Sequence, residues 1–170
     1  MSDQRQPGDF AAVRTGGGTG ALIRLGELLN GDGFGDFEHA LIYTGGGQVI
    51  EAEPGGARQR PRGIESGDLW STGLWDLSTR TRSQVCAAAR SYIGTPYGWL
   101  DYVALAAHRL HIPAPGLRGF IASSKSLICS QLVDAAYEAA GVQLFSDGRW
   151  DGYVTPGALA SLILARQLIA

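Results

Sequence analysis

The sequence has little of what marks an extracellular scaffold, a membrane protein or a nucleic-acid binder. Cysteine occurs twice, as Cys86 and Cys129, and neither belongs to a CxxC pair or a tight Cys/His cluster. That excludes the ligand spacing of a structural zinc site and favours free thiols over a disulfide framework. No apolar run approaches the roughly 18 residues that a membrane-spanning helix needs, so no integral membrane segment is expected. Net charge is only −2 and the basic residues are scattered. No electrostatic footprint for nucleic acid results. The opening MSDQRQPGDF lacks the apolar core of a secretory signal. A cytoplasmic product is expected, with delivery by other machinery if it acts outside the cell. Oligomeric state is left open.

What is present fits a globular domain. At 170 residues, 45% hydrophobic and 18% charged, the chain is long enough to bury a core as one domain over residues 1–170, with 1–6 loose. GDFAAVRT (8–15) reads as a strand after a turn. GGGTG then leads into ALIRLGELLN (21–30), apolar at helical spacing. EHALIYTGGGQVIEAE (38–53) reads as two strands folded on a glycine turn. GARQRPRG reads as a short polar edge strand and DLWSTGLWDL (68–77) as a further strand. Helices are expected over 81–94, with Gly94 as C-cap, over 98–112, and over 126–141. On the last of these Cys129, Leu132, Val133, Ala136 and Ala140 share a face, Ser126 suits the start and Gly141 the end. PAPGLRGFIASSK (113–125) is a loop. Pro156 suits the first turn of a final helix, PGALASLI. Strands come first and helices later, so the fold class is α+β, an antiparallel sheet packed on helices.

Chemistry concentrates at two places. Along the hairpin, His39, Leu41 and Tyr43 share one face of the first strand, and Val49, Glu51 and Glu53 one face of the second. A loop at 44–46 sets His39 opposite Glu51, and a loop at 45–47 sets it opposite Glu53. A two-residue turn is expected to spoil the pairing. In the odd-length registers an imidazole neighbours a carboxylate, which fixes the ring's tautomer and stabilises its charged form. On its own the hairpin reads first as a surface His–Glu pair on a half-exposed hairpin, and the pair matters for catalysis only with a nucleophile to activate.

Cys129 is the second place. It lies in the first turn of the strongest helix, where partial positive charge and free N–H groups stabilise a thiolate and can hold a developing oxyanion. With His39 and a carboxylate beyond it, the order is nucleophile, base, orienter. The competing reading is a buried apolar thiol, as for Cys86, which sits mid-helix among alanines and reads as core filler.

Other signals are weaker. Gly16, Gly18 and Ala21 match a G-x-G-x-x-A pattern. A dinucleotide site needs a parallel βαβ unit there, and a glycine-rich loop and an antiparallel hairpin follow instead. The glycines therefore read as a rim near the site. His108 and His111, three apart, lack acidic or thiol partners nearby and read as helix-end histidines. Trp99 is the tryptophan expected to line a pocket. Asp101 and Asp134 read as solvent-facing helix charges.

Five segments in order resemble the circularly permuted branch of the NlpC/P60 cysteine-hydrolase superfamily: PGDFAAV, HALIYTGGGQVIEAEPGG, YIGTPYGW, CSQLVDAAYEAAGVQL and VTPGALASL. The resemblance covers about residues 7–162. It implies a papain-like core in which the histidine strands precede the cysteine helix. It also implies Cys129 as nucleophile, His39 as base and Glu51 as orienter, with Glu53 as the fallback. Tyr97 resembles the pocket tyrosine near the oxyanion, and Ser130, beside the nucleophile, is a further substrate or oxyanion candidate. The implied activity is a thiol hydrolase that works through an acyl-enzyme without metal or organic cofactor. Its implied substrates are peptide-type amides such as those of peptidoglycan peptides. Departures are informative. Ordinary members carry Asp-Cys-Ser-Gly where this chain has Ile128-Cys129-Ser130-Gln131. Permuted bacterial members often have Glu in place of Gln131, and the Asn-Cys-Glu-His phrase of lipid-acyltransferase relatives is absent. The long stretch between Tyr97 and Cys129 reads as a lid or substrate wall. Two alternatives stand beside the hydrolase: a lipid or thioester acyl hydrolase or transferase, favoured by an apolar groove around 100–107, and a catalytically silent binding module, which predicts an unreactive Cys129 or a histidine too distant to bond it.

Overall fold

The computed structural model describes residues 4–14, 37–63, 65, 67–98, 128–149 and 154–169. Five strands form one sheet: β1 (Phe10–Val13), β2 (His39–Gly45), β3 (Gln48–Glu53), β4 (Gly56–Pro61) and β5 (Leu69–Trp70). Their order is β4-β3-β2-β1-β5, and every neighbouring pair is antiparallel. Three helices complete the described residues: α1 (Thr79–Ser91), α2 (Cys129–Ala139) and α3 (Pro156–Gln167). The class is α+β.

Strand β2 lies at the centre, and His39 through Thr44 are all buried. Covered on both faces, it has no need of polar alternation, which explains the run Ala-Leu-Ile-Tyr. One face carries Phe10, Ala40, Ile42, Ile50 and Ala52 into the main core. There they meet Val85 and Ala89 of α1 and Leu132, Val133 and Ala136 of α2. The other face gathers Ala11, Val13, Leu41, Tyr43 and Val49, with Trp70 packed against them. Each fully buried Leu, Ile or Phe contributes on the order of 1.5–3 kcal/mol, so this two-sided core holds the strand ends in place.

Several boundaries differ from the sequence expectation. Over 68–77 only Leu69–Trp70 is strand. The Ser71 hydroxyl accepts from the Phe10 N–H at 2.9 Å and ends the ladder, and Gly73 turns the chain at φ +76°. Helix α1 starts earlier than expected because the Ser78 hydroxyl accepts from the Thr81 N–H. It ends before Gly94, whose N–H donates to Ala57 O at 2.8 Å. Helix α2 begins at Cys129 rather than 126, and Ser126 lies outside the described residues. Ile128 takes the N-cap position, and its N–H donates to Gln131 Oε1 at 2.9 Å. Helix α3 begins at Pro156 as expected, with the Thr155 hydroxyl accepting from the Ala158 N–H, and runs on to Gln167.

The expected helices at 21–30 and 98–112 and the loop at 113–125 lie outside the described residues. So do Gly16, Gly18, Ala21, Trp99, Asp101, His108 and His111. Strands β1 and β2, which flank the glycine pattern, pair antiparallel, so they are not the parallel strands of a βαβ unit. Among the described residues no helix is long and apolar enough to cross a membrane.

Candidate active site

The hairpin uses the two-residue turn that was expected to spoil the pairing. Gly45 pairs with Gln48 around Gly46 and Gly47. All three glycines have positive φ, at 93°, 60° and 71°, as such a turn demands. Run unbroken from there, the ladder would put Glu51 on the face opposite His39. A bulge intervenes: the register shifts between Tyr43 and Gly45, so Tyr43 pairs with Val49 and Leu41 with Glu51. The extra residue restores parity. His39, Glu51 and Glu53 therefore share a face after all.

That register, carried two residues further, sets Glu53 rather than Glu51 opposite His39. The imidazole nonetheless bonds the diagonal neighbour: His39 Nε2 lies 2.9 Å from Glu51 Oε2. Glu53 is held instead by Arg58 of β4. Glu51 is fully buried and His39 is 6% exposed, so this is not the solvated pair that the hairpin alone would allow.

Strand β4 adds what sequence reading missed. Arg60 grips Glu51 with two nitrogens, Nε on Oε1 and Nη2 on Oε2 at 3.0 Å, and Arg58 Nη2 lies 3.4 Å from Oε1. The signal was legible in GARQRPRG, where alternate arginines on a strand hairpinned to β3 must face its glutamates. Glu51 pairs with Arg58 in the ladder. Burial alone would push Glu51 upward. Hydrogen bonds and charge from His39 and Arg60 outweigh it and hold the carboxyl down at about 2.

The opposite shift occurs on the ring. Burial disfavours the charged imidazole, but the charge and hydrogen bond of Cys129, then those of Glu51, outweigh it and raise His39 from 6.5 to about 10. The protonated ring is thus favoured, with a carboxylate on one side and the Cys129 sulfur on the other. With Nε2 committed to Glu51, Nδ1 is the nitrogen left for the thiol.

Cys129 is the first residue of α2 and is 2% exposed. It packs in the main core with Ala40 and Ile42, whereas His39 belongs by pleat to the other face. The two side chains meet at the start of β2, where His39 is the first strand residue. The Ile128 side chain offers no acceptor, so unlike α1 and α3 this helix has no hydroxyl at its N-cap to engage the first-turn N–H groups. Those groups and the helix dipole favour negative charge at Cys129.

Of the two remaining candidates, Ser130 is fully buried and its hydroxyl donates to Val154 O at 2.7 Å. Its side chain ties α2 to the start of α3, which leaves its backbone N–H as what it can offer an oxyanion. Tyr97 is partly buried and packs against the core cluster that contains Cys129.

His39, Glu51 and Glu53 bring ligand-type atoms within 4.8 Å of one another. Arg58 and Arg60 already engage both carboxylates, so the group is an ion-pair network and not the donor set of a metal centre. A cavity of about 230 Å³ lies elsewhere, along the C-terminal half of α2, lined by Asp134, Glu138, Phe145 and Arg149 among others. Asp134 is half-buried there and lines the cavity.

No family model matches the chain, and no curated protein or solved structure is significantly similar to it.

Proposed function

We propose that the chain is a thiol hydrolase in which Cys129, His39 and Glu51 act as nucleophile, acid–base and orienter. The observation that carries the reading is the buried His39, bonded to Glu51 on one side and interacting with Cys129 at a helix start on the other. His39 takes the Cys129 proton, forming an ion pair. The sulfur attacks a carbonyl carbon, and the carbonyl π electrons move to oxygen, where first-turn N–H groups of α2 stabilise the oxyanion. Collapse expels the leaving amine or alcohol, which takes the proton from His39. The neutral ring then draws a proton from water as its oxygen attacks the thioester. Release of the acid restores the ion pair.

The papain-like core, the circular permutation and the preference for peptide-type amides, as in peptidoglycan peptides, rest on the resemblance to NlpC/P60 hydrolases. The acyl-lipid alternative turns on residues 100–107, which lie outside the described residues. A catalytically silent binding module is favoured by one observation, the near-complete burial of Cys129.

Alkylation of each cysteine against pH, followed by mass spectrometry, separates the hydrolase from the silent module. The hydrolase reading expects fast Cys129 labelling below about pH 7 that His39→Ala slows. Slow labelling with an ordinary thiol profile, indifferent to His39, would overturn it and favour the binding module.

A further inference from the structure

Resting on that reading, we infer that Arg60 is a positioning residue of the same site, so that the working unit is a line of four groups: Cys129, His39, Glu51 and Arg60. The argument starts from charge. Glu51 is fully buried and His39 nearly so. In the attacking state of that mechanism, thiolate, imidazolium and carboxylate together leave one uncompensated negative charge, which is costly away from water. Arg60 brings the sum to zero.

Geometry then selects Arg60 over its neighbour. Arg60 meets both oxygens of Glu51 through Nε and Nη2, the planar fork that fixes a carboxylate in rotation as well as in place. Arg58 reaches only Oε1, at 3.4 Å, is 54% exposed, and is committed to Glu53. Arg60 is 29% exposed at its side chain, so its outer edge touches solvent while its fork faces inward. Oε2 accepts from both Arg60 Nη2 and His39 Nε2. The guanidinium therefore sets the plane in which the carboxylate presents itself to the ring, and through the ring the direction of the nitrogen that serves Cys129.

The charged groups around Glu51 are His39 of β2, Arg58 and Arg60 of β4, Glu53 of β3 and Cys129 of α2, with Glu65 acting on Arg60 from beyond β4. Arg58 and Glu53 compensate one another. Loss of Arg60 thus leaves an excess negative charge that protonation of Glu51 or of the thiolate relieves. Either event moves the acid limb of Cys129 reactivity to higher pH.

The test is the pH profile of iodoacetamide labelling at Cys129 in the full chain, with wild type, Arg60→Met and Arg60→Lys, and folding of each checked by circular dichroism. The expected result is an acid limb displaced upward by about one pH unit in Arg60→Met. Arg60→Lys, which keeps the charge and loses the fork, should recover the limb but label with a lower plateau rate. If Arg60→Met does not fold, Arg60→Lys decides alone: a lowered plateau supports the role, and a wild-type limb and plateau overturn it. Folded variants that both keep the wild-type profile also overturn it. If the wild-type profile is itself that of an ordinary thiol, the hydrolase reading fails and takes this role with it.

Discussion

Cys86 and Cys129 make a controlled comparison within one chain. Both are buried, at 3% and 2% exposure, and both sit on helices packed against β2. Cys86 lies mid-helix, and its thiol donates to the Tyr43 carbonyl at 3.8 Å. Burial is the main influence on it and pushes the thiol up. Cys129 opens its helix and faces the His39 ring, whose protonated form Glu51 favours. Burial alone therefore decides nothing about a thiol. Position along the helix and the charges met there decide it.

The sharpest way to break this comparison is to remove each sulfur in turn. Cys129→Ala should lower turnover of a cleavable peptide or acyl substrate by about 10⁴-fold. Cys86→Ala should leave turnover within a few-fold, measured by steady-state kinetics on the same substrate.

Next in size is the effect of the ring. His39→Ala should slow Cys129 labelling at pH 6 by about 10²-fold and leave Cys86 labelling unchanged. Equal slowing of both cysteines would mean that the substitution had loosened the fold and had not disarmed one thiol.

Gly56→Ala should cost about 2 kcal/mol or more in a urea melt, since strain and overpacking add. Gly56 sits at φ +102°, and a Cβ there would lie 2.9 Å from Thr95 O. Because Gly56 opens the strand that delivers Arg58 and Arg60, Cys129 labelling should slow with it.

Stability against pH sharpens the comparison further. Glu51 is held down at about 2 from 4.5, so its contribution is present above pH 4.5 and lost as pH falls through about 2. His39 is raised from 6.5 to about 10, so its contribution is complete below pH 6.5 and lost as pH rises through about 10. A pH series of urea melts should lose the acid arm in Glu51→Gln and the alkaline arm in His39→Ala. An alkaline arm that survives His39→Ala would assign it to another group.

The smallest effect is expected at Ser78, the cap of the helix that carries Cys86. Ser78→Ala should cost about 1 kcal/mol and leave the labelling of both cysteines unchanged.

Residue order and periodicity determined much of this protein. The α+β class, β1, the hairpin, the edge strand β4 and the three described helices were legible, because each is a local pattern: alternation, helical spacing, a glycine turn, a proline at a helix start; Cys129 at a helix start and His39 on the hairpin stood out as candidates in the same way. Helix starts were less so, since at α2 a glutamine three residues in, and not a serine before it, satisfies the first N–H. Which glutamate takes the imidazole was beyond the sequence. That choice depends on one bulged residue beside Gly45, which resets the parity of the strand, and on a diagonal contact that no opposite-pair rule provides. Only the tertiary structure buried Glu51 within the sheet, closed the Arg60 fork on it and brought Cys129, 90 residues on in the numbering, to the ring. Charges separated by long stretches of chain acquire strength only when folding removes the water between them, and that event is written in packing rather than in any short segment.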